Sequence, residues 1–372
     1  MLSLFIILFI SFILGIIFYW KRESTPAFEE RDHLDEVYSF MKKNGGTHNS
    51  HLVFINDKQI FWTTDKKALI VYKKVWNKHI VLGDPICHKE KLVDAIEEFR
   101  SYSQLNGKQA VFYQVSADSL DHYSYQGLNA IKLGEEAKVN LLEFSLAGKK
   151  GAKLRTRKNK FERNGFQFQV IHPPYQDRVI EEIQSISNSW LGKRKEKGFS
   201  VGFFCEKYVS RFPLAILTNT QGEKIAFATL ACDHKHVDRT ITIDLMRYEE
   251  NSPHGTMDFL FLSIFQWCKE NGYDWCSMGM APLSNVGTCK KSSHVEKACH
   301  YIFQHGNQFY NFKGLQEYKN KFFPNWEARY LVYEKSFLPI LFIQIVYLIH
   351  QKQPKSTTSF GMLSLPKFNK AG

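Results

Sequence analysis

Apolar residues recur every three to four positions at Leu34, Val37, Tyr38 and Met41, then stop at the pair Gly45-Gly46. That spacing predicts a helix and its end. The rhythm then changes. Apolar runs at 51–56, 59–64, 68–75 and 79–82 predict four strands, the last closing in the turn Gly83-Asp84-Pro85. A helix predicted over 89–105 precedes a strand over 109–115. The second half repeats this grammar. A helix over 177–191 leads through a basic loop, 193–197, to a strand over 214–218. A turn at Gln221-Gly222 connects it to strands over 225–232 and 240–246. A loop carrying Pro253 and Gly255 then opens a strongly apolar helix over 257–270. Strands interleaved with helices predict an α+β fold with mixed sheets. No short internal repeat is visible.

Both ends of the chain depart from this pattern. Leu2 to Trp20 is almost wholly apolar, about nineteen residues or roughly 28 Å as a helix, close to a bilayer core. No Lys or Arg precedes it and no small-residue cleavage site follows, so it reads as an anchor and not an export signal. Trp20, Lys21 and Arg22 border it, and the positive-inside rule assigns the remainder to the cytoplasm. The expected organisation is a single transmembrane anchor over 1–21, a polar tether over 22–32 and two halves over 33–170 and 171–350. A disordered tail over 351–372 is expected to follow. The apolar run over 337–349 is too short to span a bilayer and predicts a core or interfacial helix.

Composition narrows the partners. The 372 residues are 44% apolar and 15% aromatic, enough for a large core. The net charge of +12, from 49 basic and 37 acidic residues, favours anionic ligands. Much of it sits in KKGAKLRTRKNKFER, residues 149–163, where eight of fifteen residues are basic. Lys149, Lys150, Lys153, Arg155, Arg157, Lys158 and Lys160 there suit RNA or a lipid headgroup. Leu154 and Phe161, seven apart, would keep an apolar stripe beneath the charges. A plain solvated helix face is the other reading. Seven cysteines show no CxxC spacing, which fits reduced thiols. There is no HExxH, and His234 to His236 reads as a turn, so no metal site is expected.

Three segments carry candidate chemistry. ITIDLMRYEENSPHGTM, residues 241–257, reads strand, loop and helix start, the arrangement by which acyltransferases hold a donor pyrophosphate on helix amides. Only Gly255 is present where several glycines are usual, so the scaffold need not use coenzyme A. Asp244 and Arg247 lie three apart near a predicted strand end. They could hold an ammonium or orient a hydroxyl, or form an ordinary ion pair. SMGMAPLSNVG, residues 277–287, reads as a small-residue loop after a strand. YKNKFFPNWEARYL, residues 318–331, interleaves Lys319, Lys321 and Arg329 with Phe322, Phe323, Trp326 and Tyr330. That mixture suits phosphates and stacked bases, or a packed last strand.

With LGDP (82–85), LGEEAKVNLLEFSLAGKKGAKLRTRKNKFERNGF (133–166), EKGFSVGFF (196–204), IDLMRY, GTMDFLFL, MGMAPLSNVG and YKNKFFPNWEARYL in order along the chain, the sequence resembles the C-terminal catalytic region of the phosphatidylglycerol lysyltransferase (multiple peptide resistance factor) family. The resemblance implies tandem acyltransferase-like (GNAT) halves. It implies transfer of an aminoacyl group, usually lysyl, from aminoacyl-tRNA to the glycerol hydroxyl of phosphatidylglycerol, which lowers membrane charge and gives resistance to cationic antimicrobial peptides. It places Asp244, Arg247, Lys321 and Arg329 at the active site, and Lys319 with the basic block at tRNA or lipid. Gly255, Thr256, Asp258, Gly279, Met280, Ser284 and Asn285 would line the pocket. No metal or dissociable cofactor is implied beyond the aminoacyl-tRNA co-substrate. Partners would be that tRNA, the anionic lipid and its membrane, and a separate flippase where the product is to be moved, because full-length members carry a many-span region for that step. No serine or cysteine triad is evident, which favours direct transfer. The competing readings are a peptidoglycan bridge-forming aminoacyl-tRNA ligase, a non-catalytic membrane-tethered RNA- or lipid-binding protein, and an ordinary acetyltransferase.

Overall fold

The computed structural model describes residues 32–235, 238–288, 293–305 and 311–351. The expected anchor over 1–21, nearly all of the tether and the tail beyond Gln351 lie outside the described residues. Among those described, no helix is long and apolar enough to cross a membrane.

The first part of the chain forms α1 (Asp32–Asn44), β1 (Gln59–Trp62), β2 (Ala68–Val75), β3 (Lys78–Leu82) and β4 (Ile86–Cys87). It continues through α2 (Leu92–Leu105), β5 (Gln109–Ser116), α3 (Leu120–Tyr125), β6 (Asn129–Asn140) and α4 (Ala152–Arg163). Next come β7 (Gln167–Ile171), α5 (Asp177–Leu191), α6 (Glu206–Val209), β8 (Leu214–Thr218), β9 (Lys224–Cys232) and β10 (Thr240–Tyr248). The last are α7 (Thr256–Glu270), β11 (Trp275–Pro282), α8 (His294–His305), α9 (Phe312–Asn320), β12 (Asn325–Tyr333) and α10 (Leu338–His350).

All strands but the short β4 lie in one continuous path, β1-β2-β3-β5-β12-β6-β11-β10-β9-β8-β7. Two pairs in it are parallel, β3 with β5 and β10 with β11, and each is joined through a helix, α2 and α7. The other neighbours are antiparallel, which makes the sheet mixed and the fold α+β. Strand β12 inserts between β5 and β6, so the last strand among the described residues is stitched into the sheet of the first part.

Two expectations need correction. The run over 51–56 is not a strand. Ser50–Ile55 is a 3-10 turn, every residue of it buried, stopped by Asn56 in the left-handed conformation (φ 59°). An apolar run enclosed on every side need not pair with a sheet, and its sequence alone does not tell the two apart. The segment over 277–287 is mostly strand. Trp275–Pro282 is central β11, and only the turn after it is loop. A glycine on the adjoining strand lets β11 come close: a Cβ at Gly134 on β6 would sit 2.5 Å from the Ala281 carbonyl oxygen.

The basic helix forms where the charge pattern placed it. Leu154 and Phe161 are buried, and Phe161 stacks on Phe259 of α7 with ring centroids 5.1 Å apart. Lys149, Lys150, Lys153, Arg155 and Lys160 are exposed around that stripe, and Arg157 and Lys158 half-buried.

Candidate active site

Strands β10 and β11 pair only over Thr240–Thr242 and Trp275–Ser277. Beyond that point both strands carry a register irregularity toward their antiparallel neighbours, between Ile243 and Met246 and between Ser277 and Met280. The pair therefore separates, and the residues that follow, Asp244 to Arg247 on one strand and Gly279 and Met280 on the other, edge the resulting wedge.

Asp244 is enclosed by parts of the chain far apart in sequence. The Tyr208 hydroxyl, on α6, donates to Oδ2 at 2.5 Å, and His51 Nε2 lies 3.7 Å from Oδ1. Gly202 packs flat against the carboxylate, where a Cβ would sit 2.0 Å from Oδ2. Burial pushes the Asp244 carboxyl up, but the His51 ring, the Tyr208 hydroxyl and the Arg247 charge overrule it and hold it below its ordinary value. The carboxylate is thus ionised at neutral pH while largely withdrawn from water.

Arg247 does not pair directly with Asp244. Its Nη2 donates to Glu196 Oε2 at 2.9 Å, and its guanidinium carbon lies 3.8 Å from the Trp190 ring centroid. Arg194 approaches the same ring at 4.1 Å. Arg247 Nε is buried with no hydrogen-bond partner among the described residues. A cavity of about 340 Å³ beside Trp190 is also lined by Ser189, Lys193, Arg194, Tyr248 and Glu250. A buried guanidinium with an unused donor is equipped to receive an anion or carbonyl oxygen.

A second constellation lies where β6, β11 and β12 meet. Arg329 Nε donates to Glu136 Oε2 at 2.9 Å, Nη2 reaches the same oxygen, and the Ser277 hydroxyl bonds Oε1. Burial would raise the Glu136 pKa, yet His48, Arg329 and Ser277 bring it to about 2. The His48 ring is itself pushed down to about 3 by burial and by Arg329, so it is neutral at pH 7 and Arg329 is the operative countercharge. Lys319 is buried, with Nζ donating to the carbonyls of Gly279 (2.8 Å) and Met280 (3.0 Å). Burial lowers its pKa to about 7. Glu135 accepts from Asn285 Nδ2 and Lys132, while its amide donates to Ser284 Oγ.

The sequence-predicted residues therefore separate into groups. Asp244 and Arg247 flank the wedge. Gly279, Met280, Ser284 and Asn285 support its opposite strand, and the Lys319 ammonium is spent on the Gly279 and Met280 carbonyls of that strand. Arg329 is committed to Glu136. Lys321 lies 3.8 Å from Asp258 and 4.4 Å from the Tyr318 ring centroid. Asp258, buried in the first turn of α7, also pairs with Arg157, so this member of the basic block ties α4 to α7. Arg155 Nη1 bonds the carbonyls of Leu146 and Gly148. Gly255 (φ 99°) sits under α4, where a Cβ would fall 3.4 Å from Arg157 Cδ, and the Thr256 hydroxyl turns back to the Pro253 carbonyl. The loop is closed by the basic helix instead of opening as a phosphate cradle. Among the described residues, no cluster of His, Cys, Asp and Glu is arranged to hold a metal ion.

Sequence reasoning missed His48, His51, Glu136, Glu196, Gly202 and Tyr208. The available signal was GGTHNSH, residues 45–51, two histidines three apart in a polar stretch after a glycine pair. Read as the entry to a strand, it hid that one short segment delivers a histidine to each constellation.

Residues 38–333 match the family model described as phosphatidylglycerol lysyltransferase, C-terminal. The chain belongs to this family. Among the phosphatidylglycerol lysyltransferase family's curated members, the protein of Bacillus subtilis (strain 168) is 40% identical over 331 residues, covering 89% of this chain and 38% of its own length. That of Staphylococcus aureus (strain MRSA252) is 37% identical over 329 residues, 88% of this chain and 39% of the relative. The chain thus spans about two-fifths of the relatives it matches. The solved structure of L-PGS from Bacillus licheniformis superposes with a TM-score of 0.77 at 38% identity, covering 89% of this chain and all of that one. FemX shares the fold, at TM-score 0.52 and 9% identity over 84% of this chain and 97% of that one.

Proposed function

We propose that this chain transfers an aminoacyl group, lysyl above all, from aminoacyl-tRNA to the headgroup hydroxyl of phosphatidylglycerol. The observation that carries the reading is Asp244. It is a half-buried carboxylate kept ionised at the edge of the wedge between β10 and β11, in a chain that belongs to the phosphatidylglycerol lysyltransferase family. An ionised, partly desolvated carboxylate is a selective receptor for the ammonium of an amino acid. Arg247, held by Glu196 and Trp190 with Nε unused, is placed to take an oxygen of the ester or a phosphate.

The transfer needs no further energy source. The acyl carbon leaves the ribose oxygen and joins the glycerol oxygen, and the proton of the glycerol hydroxyl ends on the ribose. The site's task is to align the two oxygens about the acyl carbon and to stabilise the tetrahedral oxyanion between them. The exposed lysines of α4 supply a polyanion surface for the tRNA backbone. The two parallel strand–helix–strand units support a scaffold of two acyltransferase-like halves. In this reading the product lowers the negative charge of the membrane and thereby its affinity for cationic peptides, with a flippase supplied separately or by another region.

The test is direct. Purified chain, lysyl-tRNA and vesicles containing phosphatidylglycerol should yield lysyl-phosphatidylglycerol by mass spectrometry. Vesicles lacking phosphatidylglycerol, or free lysine with uncharged tRNA, should yield none. Wild-type protein that forms no aminoacyl lipid under these conditions, yet retains its fold, would remove the proposal.

A further inference from the structure

Helix α10 inverts the usual order of a surface helix. From Leu338 to Ile349 the only amide or charged side chain is Gln344, and it faces inward, fully buried, donating to Asn77 Oδ1 at 3.3 Å. Leu341, Ile345 and Leu348 pack beside it in the core. The outward positions are apolar instead. Ile340 and Val346 are 48% and 46% exposed, with half-buried Ile343 between them, and Phe337, just ahead of the helix, is 69% exposed. A water-facing helix places polar residues outward. An apolar outer stripe on a helix of roughly 20 Å, too short to span, suits one that lies along a bilayer surface.

The surroundings identify the surface. Lys335, exposed, stands at the start of α10. At its other end the Ile349 carbonyl accepts from Gly198 N at 2.9 Å, which seats the basic loop 193–197 beside the last turn. Lys193, Arg194 and Lys195 of that loop are exposed, while Glu196 turns inward to Arg247. The apolar stripe thus has cations at both ends, and one loop joins it to the candidate active site. Apolar insertion flanked by basic residues is the chemistry of an anionic lipid interface.

We infer that the outer face of α10, with Phe337 and the loop 193–195, is a docking surface for an anionic bilayer, and that it sets the wedge between β10 and β11 against the headgroups. The role in catalysis rests on the lipid-acceptor reading above; the docking itself does not.

The full chain is reconstituted in phosphatidylcholine vesicles containing phosphatidylglycerol with a photoreactive diazirine on its acyl chain, and crosslinked peptides are mapped by mass spectrometry. Acyl-chain adducts on the peptide spanning 337–346 are expected. Adducts confined to residues 1–21, or crosslinks of α10 to a second copy of the chain in place of lipid, would overturn the inference. In a second arm, Ile340→Asp combined with Val346→Asp, both on exposed positions, is assayed on bilayer and on water-soluble short-chain phosphatidylglycerol. The double variant should lose about tenfold or more in kcat/KM on vesicles and keep the short-chain rate within about twofold. Equal losses on both acceptors would contradict docking. Wild-type protein that modifies neither acceptor but still gives α10 adducts would sink the catalytic reading and leave the docking surface standing.

Discussion

Two carboxylates on the strands either side of β11 meet opposite fates. Glu136 on β6 is saturated, with Arg329 on one oxygen and Ser277 on the other, and Arg329 also reaches Glu327. Asp244 on β10 has a tyrosine hydroxyl at hydrogen-bond distance and a histidine just beyond it, while the arginine three residues on is held elsewhere with a donor unspent. The saturated pair stitches β12 to β6 across the seam of the sheet. The unsaturated one keeps charge in reserve for a ligand. A buried ion pair is therefore a poor guide to function until its partners have been counted.

The largest effect should come from breaking the saturated pair. Arg329→Met leaves Glu136 charged and buried, and should cost roughly 3–5 kcal/mol in urea unfolding, where a surface pair costs about 0–1. Arg329→Met with Glu136→Leu should recover much of that loss. A single variant as stable as wild type would make the seam dispensable.

Next in size is Gly202→Ala. Its methyl would enter the Asp244 carboxylate, 2.0 Å away in the undisturbed geometry, so one must move. Activity should fall about tenfold or more, with an overpacking cost of about 1–3 kcal/mol. Wild-type turnover in this variant would show that the placement of Asp244 is not critical.

Lys319 offers a pH signature. Its pKa drops from 10.5 to about 7 on folding. Between those values the unfolded chain binds the extra proton, so the group makes stability rise with pH across that window. From pH 7 to 9 the melting temperature of wild type should climb more than that of Lys319→Met. Parallel curves would mean that the folded ammonium is not destabilised.

Smallest should be the stability effect of replacing Lys149, Lys150, Lys153 and Lys160 by Ala, within about 0.5 kcal/mol per site because all four are exposed. Their effect should appear in KM for lysyl-tRNA and in a shallower salt dependence of tRNA binding. Arg157 is left out because it holds buried Asp258. An unchanged salt slope would assign α4 to structure alone.

What could be read from sequence follows the range of the interactions involved. Helices over 177–191 and 257–270 declare a period, and both form within a residue of the expected bounds. The stripe of Leu154 and Phe161 declared the buried side of α4. The 3-10 turn at Ser50–Ile55 did not, because an apolar run buried on all sides carries no period of its own. The insertion of β12 between β5 and β6 depends on pairing between residues 187 to 222 positions apart, which no local pattern encodes. The site divides in the same way. Asp244 and Arg247 were visible as neighbours, but His51, Tyr208 and Glu196 reach them only through the fold.

The central claim is that Asp244 receives the ammonium of the transferred residue, and Asp244→Asn tests it most directly because it keeps shape and removes charge. In the lysyl-tRNA and phosphatidylglycerol vesicle assay, the variant should lose about a hundredfold or more in kcat/KM, the scale of a desolvated charge contact of roughly 3 kcal/mol, with its melting temperature within a few degrees of wild type. Lysyl-phosphatidylglycerol formed at a near wild-type rate by the folded variant would contradict the claim and move the aminoacyl site away from β10.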